Sequence, residues 1–166
     1  MVHPPSADAT EATLQLDVVI EIPRWSFLKR GAAGQLDFVS PFPCPFNYGS
    51  VRQFIGGDDD YLDAIVLGPR LARGARVKVN VHGAIGLTDR DMYDDKLVCS
   101  RHALQQSDRR RVLLLMRLYG RFKRVLNFCR RRRGRTASEG WKDARSAIAR
   151  ARPCEERAGQ TTPVPF

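Results

Sequence analysis

The spacing of hydrophobic residues changes once along this chain, and that change restricts the folds open to it. Over roughly the first hundred residues, short apolar runs alternate with polar positions and are separated by glycine and proline, as is typical of β-strands. The predicted strands cover residues 14–23, 36–39, 64–67, 77–81 and 84–87. Short strands at this density favour a small barrel or sandwich.

Helical spacing replaces this alternation after Ser107 and Asp108, two residues suited to capping a helix. Apolar side chains then recur every three or four positions, at Val112, Leu115, Tyr119, Phe122, Leu126 and Cys129. A second, shorter helix is predicted over residues 139–151. We expect the first helix to lie across the barrel, with its apolar face, Trp25 and Trp141 in the core.

Acidic residues are concentrated in two short stretches, 58–63 and 89–95, although the chain carries a net charge of +10. Carboxylates about 5 Å apart repel by roughly 3 kcal/mol per pair at an effective dielectric constant near 20, so folding them together requires protons or cations. Asp58 and Asp60 point to one side of an extended segment, and Asp63 follows where the next strand begins. Oxygen ligands without histidine or cysteine favour Mg²⁺ or Mn²⁺.

The second acidic stretch can complete this ligand set with Asp89 and Asp94, and Lys96 adds positive charge to the same cleft. Metal ions held by carboxylates beside lysines are suited to binding phosphate oxygens. The rest of the charge is uneven, because residues 1–100 contain 13 acidic and 10 basic side chains, whereas residues 101–166 contain 5 and 18. The C-terminal part can therefore meet anions.

The composition predicts one domain over residues 14–152, a polar lead-in at 1–13 and a proline-containing tail at 153–166. The longest aliphatic run in the basic part, residues 112–116, is far shorter than the roughly 20 residues of a membrane span. The four cysteines are spread singly, which favours reduced thiols. With neither a secretory nor a mitochondrial address readable, we expect a soluble cytoplasmic protein.

Seven pieces of the sequence, in order and at compatible separations, form a specific pattern. They are VVIEIP at 18–23, Lys29, FNYG at 46–49, DDDYLDAIVLGP at 58–69, GAIGLTDRDMYDDKLV at 83–98, RFK at 121–123 and EGWKDA at 139–144. From about residue 17 to about residue 150, this pattern resembles the soluble Mg²⁺-dependent inorganic pyrophosphatases. The resemblance implies a mainly β, α+β fold in which a five-stranded OB-like closed barrel is flanked by two C-terminal helices.

The resemblance also implies hydrolysis of pyrophosphate to two phosphates by a metal-activated water, in a protein that can form homo-oligomers. The residues that fall on the family's ligands for Mg²⁺, or for Mn²⁺ in its place, are Asp58, Asp63, Asp89 and Asp94. Those that fall on its catalytic positions are Asp60, which helps activate the water, Glu21, which steadies metal-bound waters, and Tyr48 near the nucleophile. Those that fall on its contacts to pyrophosphate or phosphate are Lys29, Lys96, Lys123 and Tyr48.

The chain departs from the family pattern at several of these contacts. Tyr61 stands where the family has proline or glutamate, Gly31 replaces a glutamate, and residues 40–41 replace an arginine. Phe122 replaces the tyrosine before the helix lysine, which removes one phenol. The arginine-rich stretch at 130–135 lies where the family typically has a further strand, and the family pattern does not account for it.

A second hypothesis belongs to the class of nucleic-acid-binding proteins. An OB-like barrel followed by five arginines in residues 130–135 can bind a polyanion, with a structural or degenerate acid cluster. Against it, the predicted barrel is net acidic and lacks aromatic residues spaced for base stacking. A third hypothesis combines the two, in a divergent pyrophosphatase whose basic tail localises it near polyanions or improves capture of organic or longer-chain polyphosphates.

Overall fold

The computed structural model describes residues 14–30, 36–39, 42–129, 131 and 134–154. Within these ranges the chain forms ten strands and two helices. They are β1 (Gln15–Ile22), β2 (Leu28–Arg30), β3 (Leu36–Val39), β4 (Asn47–Ile55), β5 (Tyr61–Val66), β6 (Arg76–Asp89), β7 (Met92–Tyr93), β8 (Lys96–Ser100), α1 (Gln106–Cys129), β9 (Ala137–Lys142), α2 (Ala144–Arg150) and β10 (Arg152–Pro153).

Five of these strands close into a barrel. Their order is β1, β4, β5, β8 and β6, and β6 pairs back with β1. The pairing of β5 with β8 is parallel, and the other four pairings are antiparallel. Strands β7 and β9 extend β6, β10 extends β4, and β2 pairs with β3 in a separate small sheet. The predicted OB-like closed barrel with two C-terminal helices is therefore confirmed.

The barrel interior is filled by the alternating apolar side chains of its strands. Every second residue of β1 is buried, from Leu16 to Ile22, because side chains of a strand alternate between the two faces. Gly49 of the FNYG piece allows β4 to cross β1 closely, since a Cβ there would lie 2.1 Å from the Val19 carbonyl oxygen. Burying one such aliphatic side chain contributes about 1.5–3 kcal/mol.

A second apolar cluster lies outside the barrel, between β6 and the start of α1. It contains Ile85, Leu87, Val98 and Val112, with Trp141 of β9 packed against it. This cover explains why β6 alternates in its first half but is buried continuously from Gly83 to Asp89. None of the helices in the described ranges is long and apolar enough to cross a membrane.

The structure corrects several predicted strands. Residues 77–81 and 84–87 belong to one long strand, β6, and strands β4, β8 and β9 were not anticipated. The predicted tail begins with Pro153 in β10, and the Cys154 amide donates to the Gln53 carbonyl at 2.8 Å. The predicted lead-in at 1–13 and the tail beyond residue 154 lie outside the described residues, so the domain boundaries stay predictions.

The helices also differ from their predictions. Helix α1 begins at Gln106, so Ser107 and Asp108 lie within its first turn. Helix α2 begins at Ala144 rather than at residue 139, because the Asp143 carboxylate caps it by accepting from the Ser146 amide.

Three side chains predicted to lie in the core are exposed. Trp25 is 51% exposed and Phe122 is 44% exposed, and Cys129 at the end of α1 also faces solvent. The buried residues of α1 are Val112, Gly120 and Asn127.

Candidate active site

The two acidic stretches meet at one edge of the barrel. Parallel pairing of β5 with β8 places Asp63 directly beside Lys96. Asp89 ends β6, and Asp94 follows β7 with its amide donating to the Leu87 carbonyl at 3.0 Å. Helix α1 brings Lys123 to the same place, where it pairs with both of these aspartates. The site is therefore assembled from segments up to sixty residues apart.

Lys96 links the first acidic stretch to the second. Its Nζ lies 2.5 Å from Asp63 Oδ2 and 2.9 Å from Asp94 Oδ1, and its side chain is only 3% exposed. Burial would lower the pKa of Lys96, but Asp63 and Asp94 outweigh it and raise the pKa well above its usual value. Tyr48 donates its hydroxyl to Asp63 Oδ2, and burial raises the pKa of that phenol, with a further contribution from Asp63. Lys96 is thus a buried cation within the acidic cluster.

Lys123 lies nearer the surface, with its side chain 25% exposed. Its Nζ is 3.0 Å from Asp89 Oδ2 and 3.2 Å from Asp94 Oδ2. Burial would raise the pKa of Asp94, but Lys96 and Lys123 reverse this and hold the pKa below its ordinary value. The pKa of Asp89 is lowered as well, because Lys123 and neighbouring hydrogen-bond donors outweigh burial. Both aspartates are therefore ionised at neutral pH.

The remaining predicted carboxylates form a less compensated side of the cluster. Burial raises the pKa of Asp58, and repulsion from Asp94 and Asp63 adds to the rise. Burial likewise raises the pKa of Glu21, although Ser50 donates to its Oε1 at 2.7 Å, and Asp63 and Asp60 contribute. Burial and the neighbouring carboxylates therefore disfavour the charged forms of both Asp58 and Glu21.

Some predicted positions cannot be placed in the site. Lys29 lies in β2, at the position opposite Phe38 of β3, and its side chain is outside the described residues. Gly31 and residues 40–41, which account for two of the departures from the family pattern, also lie outside them. The predicted substrate contact of Lys29 stays a prediction.

The predicted ligands are all carboxylates, which suits a hard divalent cation. Their side chains are not arranged around a common point. Among the described residues, no three carboxylate, histidine or cysteine groups converge closely enough to hold a metal. The amines of Lys96 and Lys123 stand between Asp63, Asp94 and Asp89, where they act as the cations. The donors are all oxygen, and burial together with the neighbouring carboxylates Asp94 and Asp63 raises the pKa of Asp58, so a bound cation would favour its charged form.

Three residues of the site were missed at the sequence level. Asn127 and Thr136 donate to Asp89, and Tyr119, predicted as core, places its ring 5.8 Å from Lys123 Nζ. Tyr119 lies one helical turn before Lys123, so the i, i+4 spacing was an available signal. Asn127 and Thr136 carried no such signal, because they are 38 and 47 residues from Asp89.

A separate cavity of about 470 Å³ lies near the start of α1, lined by residues that include His82, Gln105, Arg109 and Trp141. None of the predicted site residues lines it, and the Arg109 guanidinium lies 4.7 Å from the centre of the Trp141 ring. We place the chemistry in the carboxylate and lysine cluster, because that is where charged groups converge.

We expect an Asp58→Asn variant to be more stable than the parent protein at pH 7 without divalent metal. The folded-state pKa of Asp58 is raised, so its charge destabilises the fold above that pKa. The penalty disappears as the pH falls below the ordinary carboxylate value, so the two proteins should converge near pH 3. Thermal unfolding in EDTA across this range measures the effect, with Asp59→Asn, an exposed neighbour paired with Arg152, as the control. Equal melting temperatures at pH 7 would contradict it.

The closed barrel and its carboxylate and lysine cluster define a class of protein, an OB-like fold carrying a centre suited to cations and phosphates. The inorganic pyrophosphatase family model matches residues 18–158. The chain therefore belongs to the inorganic pyrophosphatase family. Members of that family are metal-dependent enzymes.

Individual relatives agree with this assignment. An inorganic pyrophosphatase of Haemophilus influenzae is 38% identical over 92 residues, which cover 51% of this chain and 52% of that protein. The chain thus matches about half the length of this curated relative. A solved inorganic pyrophosphatase from Neisseria gonorrhoeae superposes with a TM-score of 0.66 and 27% identity, covering 81% of this chain and 86% of the other. The corresponding structure from Thermus thermophilus, at 24% identity and a TM-score of 0.65 over 89% and 91%, supports the fold.

These relatives are all described as inorganic pyrophosphatases. They lend no support to the nucleic-acid-binding hypothesis raised by the arginine-rich stretch.

Proposed function

We propose that this protein hydrolyses pyrophosphate to two phosphates with a divalent metal ion, Mg²⁺ or Mn²⁺ in its place. The observation that carries the proposal is the network in which Lys96 and Lys123 join Asp63, Asp94 and Asp89 at one edge of the barrel. In such a network, divalent metal ions can take the place of the lysine amines beside the carboxylates. The amines can then pair with phosphate oxygens. Membership of the family supports the same reaction.

The ligands we propose for the metal are Asp58, Asp63, Asp89 and Asp94. A bound divalent metal would supply a water of lowered pKa and would neutralise phosphate oxygens. Asp60, which is exposed and close enough to influence Glu21, is proposed to accept the proton of the attacking water. Glu21 is proposed to orient water in the site, because Ser50 fixes one of its oxygens.

The lysines of the site are proposed to have different roles in binding phosphate. Lys123 has a partly exposed amine on a flexible stem, so it is the group best placed to reach a phosphate oxygen. Lys96 is buried, and in this arrangement it stabilises the charges of Asp63 and Asp94. Contacts of Lys96 and Lys29 with the substrate are proposed as well. Tyr48 is proposed to present its hydroxyl beside the nucleophile, held there by Asp63.

Phosphate release from pyrophosphate tests the proposal directly. We expect turnover with Mg²⁺ and with Mn²⁺, loss of turnover in EDTA, and recovery when metal is restored. An organic phosphate monoester serves as the substrate control and should react far more slowly. Absence of turnover with every divalent metal tried would overturn the proposed function.

We also propose that the protein forms a homo-oligomer through the outer face of α1. Exposed apolar side chains follow one stripe of this helix, at Leu114, Leu118, Val125 and Phe128, and Phe128 is 83% exposed. An apolar stripe of this length on a soluble protein marks a contact surface. Sedimentation velocity of Leu118→Asp should show a smaller species than the parent protein or Leu14→Asp; an unchanged species would contradict this.

A cytoplasmic location is proposed from the cysteines. Cys99, Cys129 and Cys154 form no disulfide, and burial raises the pKa of Cys99 to about 12. Reduced thiols suit a reducing compartment. Fractionation of cells of the source organism would test the location.

A further inference from the structure

Asp89 is held by two buried hydrogen-bond donors, Asn127 near the end of α1 and Thr136 in the segment that follows the helix. Asn127 Nδ2 donates to Asp89 Oδ1 at 2.9 Å, and Thr136 Oγ1 donates to the same oxygen at 3.1 Å. Asn127 Nδ2 also donates to Thr136 Oγ1 at 3.1 Å, which fixes the two donors relative to each other. All three residues are less than 10% exposed. Oδ1 is thus committed to this pair, while Oδ2 faces Lys123 in the cleft.

The segment 134–136, which contains Thr136, also holds the turn that follows Asp89. Arg90 and Asp91 both adopt left-handed backbone conformations, with φ of 52° and 67°. A residue with a Cβ is strained in this conformation, so neighbouring contacts must maintain the turn. Asp91 N donates to the Arg135 carbonyl at 3.1 Å, and Arg135 N donates to Asp91 Oδ1 at 3.0 Å.

Glycine is required where this segment passes the turn. Gly134 has φ of +113°, and a Cβ there would lie 2.7 Å from the Arg90 Cα. The backbone of the segment therefore rests directly on the backbone of the turn. We call Asn127, Gly134, Arg135 and Thr136 the clasp.

We propose that the clasp positions Asp89 for metal binding, by occupying Oδ1 so that Oδ2 alone is presented to the cleft. This assigns a role to the end of the arginine-rich stretch, which the family pattern does not explain. A carboxylate that is oriented by hydrogen bonds outside the metal site loses less freedom when it binds, so it binds more tightly. Asn127 and Thr136 are positioning residues, and neither needs to touch substrate. The inference rests on the proposed metal-dependent function but concerns metal affinity.

Thr136→Val tests the clasp, because it removes the hydroxyl and preserves the shape of the side chain. Mn²⁺ binding to the substrate-free protein is measured by calorimetry and by electron paramagnetic resonance. We expect about 10-fold to 100-fold weaker binding in Thr136→Val and in Asn127→Ala. Thr136→Ser should retain the affinity of the parent protein, because it keeps the donor. In kinetic assays, the Mg²⁺ concentration for half-maximal activity should rise while kcat at saturating metal stays near that of the parent.

Ser100→Ala is the matched control, since it removes a buried hydroxyl that bonds His82 and the His102 carbonyl, away from the carboxylates. Parent-like Mn²⁺ affinity in both clasp variants would overturn the proposal, as would equal losses in Thr136→Val and Ser100→Ala. Absence of Mn²⁺ binding by the parent protein would also overturn it. If the parent binds Mn²⁺ and the clasp variants weaken that binding, but pyrophosphate is not hydrolysed, the clasp stands and the proposed function falls.

Discussion

An Asp63→Asn variant is expected to hydrolyse pyrophosphate about 10²-fold to 10³-fold more slowly than the parent protein. Losses of this size follow when a group that stabilises charge is removed from an active site. The Asp63 carboxylate has three different interactions in the proposed site. It accepts from the Tyr48 hydroxyl, accepts from Lys96 at 2.5 Å, and is a proposed metal ligand. Asparagine keeps the shape and one acceptor oxygen but removes the negative charge.

The control for this variant is Asp59→Asn, from the same acidic stretch. The Asp59 side chain is exposed and pairs with Arg152, outside the network of Asp63, Asp94 and Lys96. Initial rates across a Mg²⁺ titration should show near-parental activity for Asp59→Asn and a large loss for Asp63→Asn. Circular dichroism and thermal unfolding establish that both proteins fold. Equal activities would remove Asp63 from the proposed mechanism.

A Lys96→Met variant is expected to lose about 3–5 kcal/mol of stability without metal, the range found when one partner of a buried ion pair is removed. Methionine fills a similar volume but leaves Asp63 and Asp94 facing each other without their shared cation. At roughly 2–4 °C per kcal/mol for a chain of this length, the melting temperature should fall by about 10 °C. Added Mg²⁺ should recover part of the loss, because the metal replaces the missing positive charge.

The pH dependence of this loss follows from Asp94. Lys96 helps hold the folded-state pKa of Asp94 below its ordinary value, so the stability that the pair contributes is present at neutral pH and is lost as the pH falls through that lowered pKa. The difference between Lys96→Met and the parent protein should therefore be large at pH 7 and shrink under acid conditions. Lys78→Met, which replaces an exposed lysine of β6, is the control. Equal stabilities of Lys96→Met and the parent in EDTA at pH 7 would contradict the role of Lys96.

Local patterns predicted the elements whose stability is mostly local. Strand β1 alternates clearly, and α1 has a long helical repeat, so both were found close to their observed bounds. Strand β4 begins after a proline-rich segment with polar residues and a glycine, and its strand conformation depends on pairing with β1 and β5. Strand β9 is short and contains Gly140, so it has little strand signal of its own, and residues 139–142 were assigned to the second helix. Its strand conformation depends on pairing with β6.

The exposed face of α1 shows the same limit. Helical spacing identifies which residues share a face, and it placed Phe122 with Val112 on the apolar side. The structure buries Val112 and exposes Phe122, because only the first part of the helix lies over the apolar cluster outside the barrel. A periodic pattern cannot report how far along a helix its partner extends.

The amino-acid sequence by itself determined the chemistry available to this protein. Residue types alone require cations near residues 58–63 and 89–95, and the order of the short motifs points to the family that the comparisons identified. Tertiary structure alone decided which groups meet. The parallel pairing of β5 with β8 places Lys96 between Asp63 and Asp94. The end of α1 brings Asn127 to Asp89, and the return of the chain after the helix brings Thr136 there. Contacts across such separations depend on closure of the barrel, for which neighbouring residues carry no local signal.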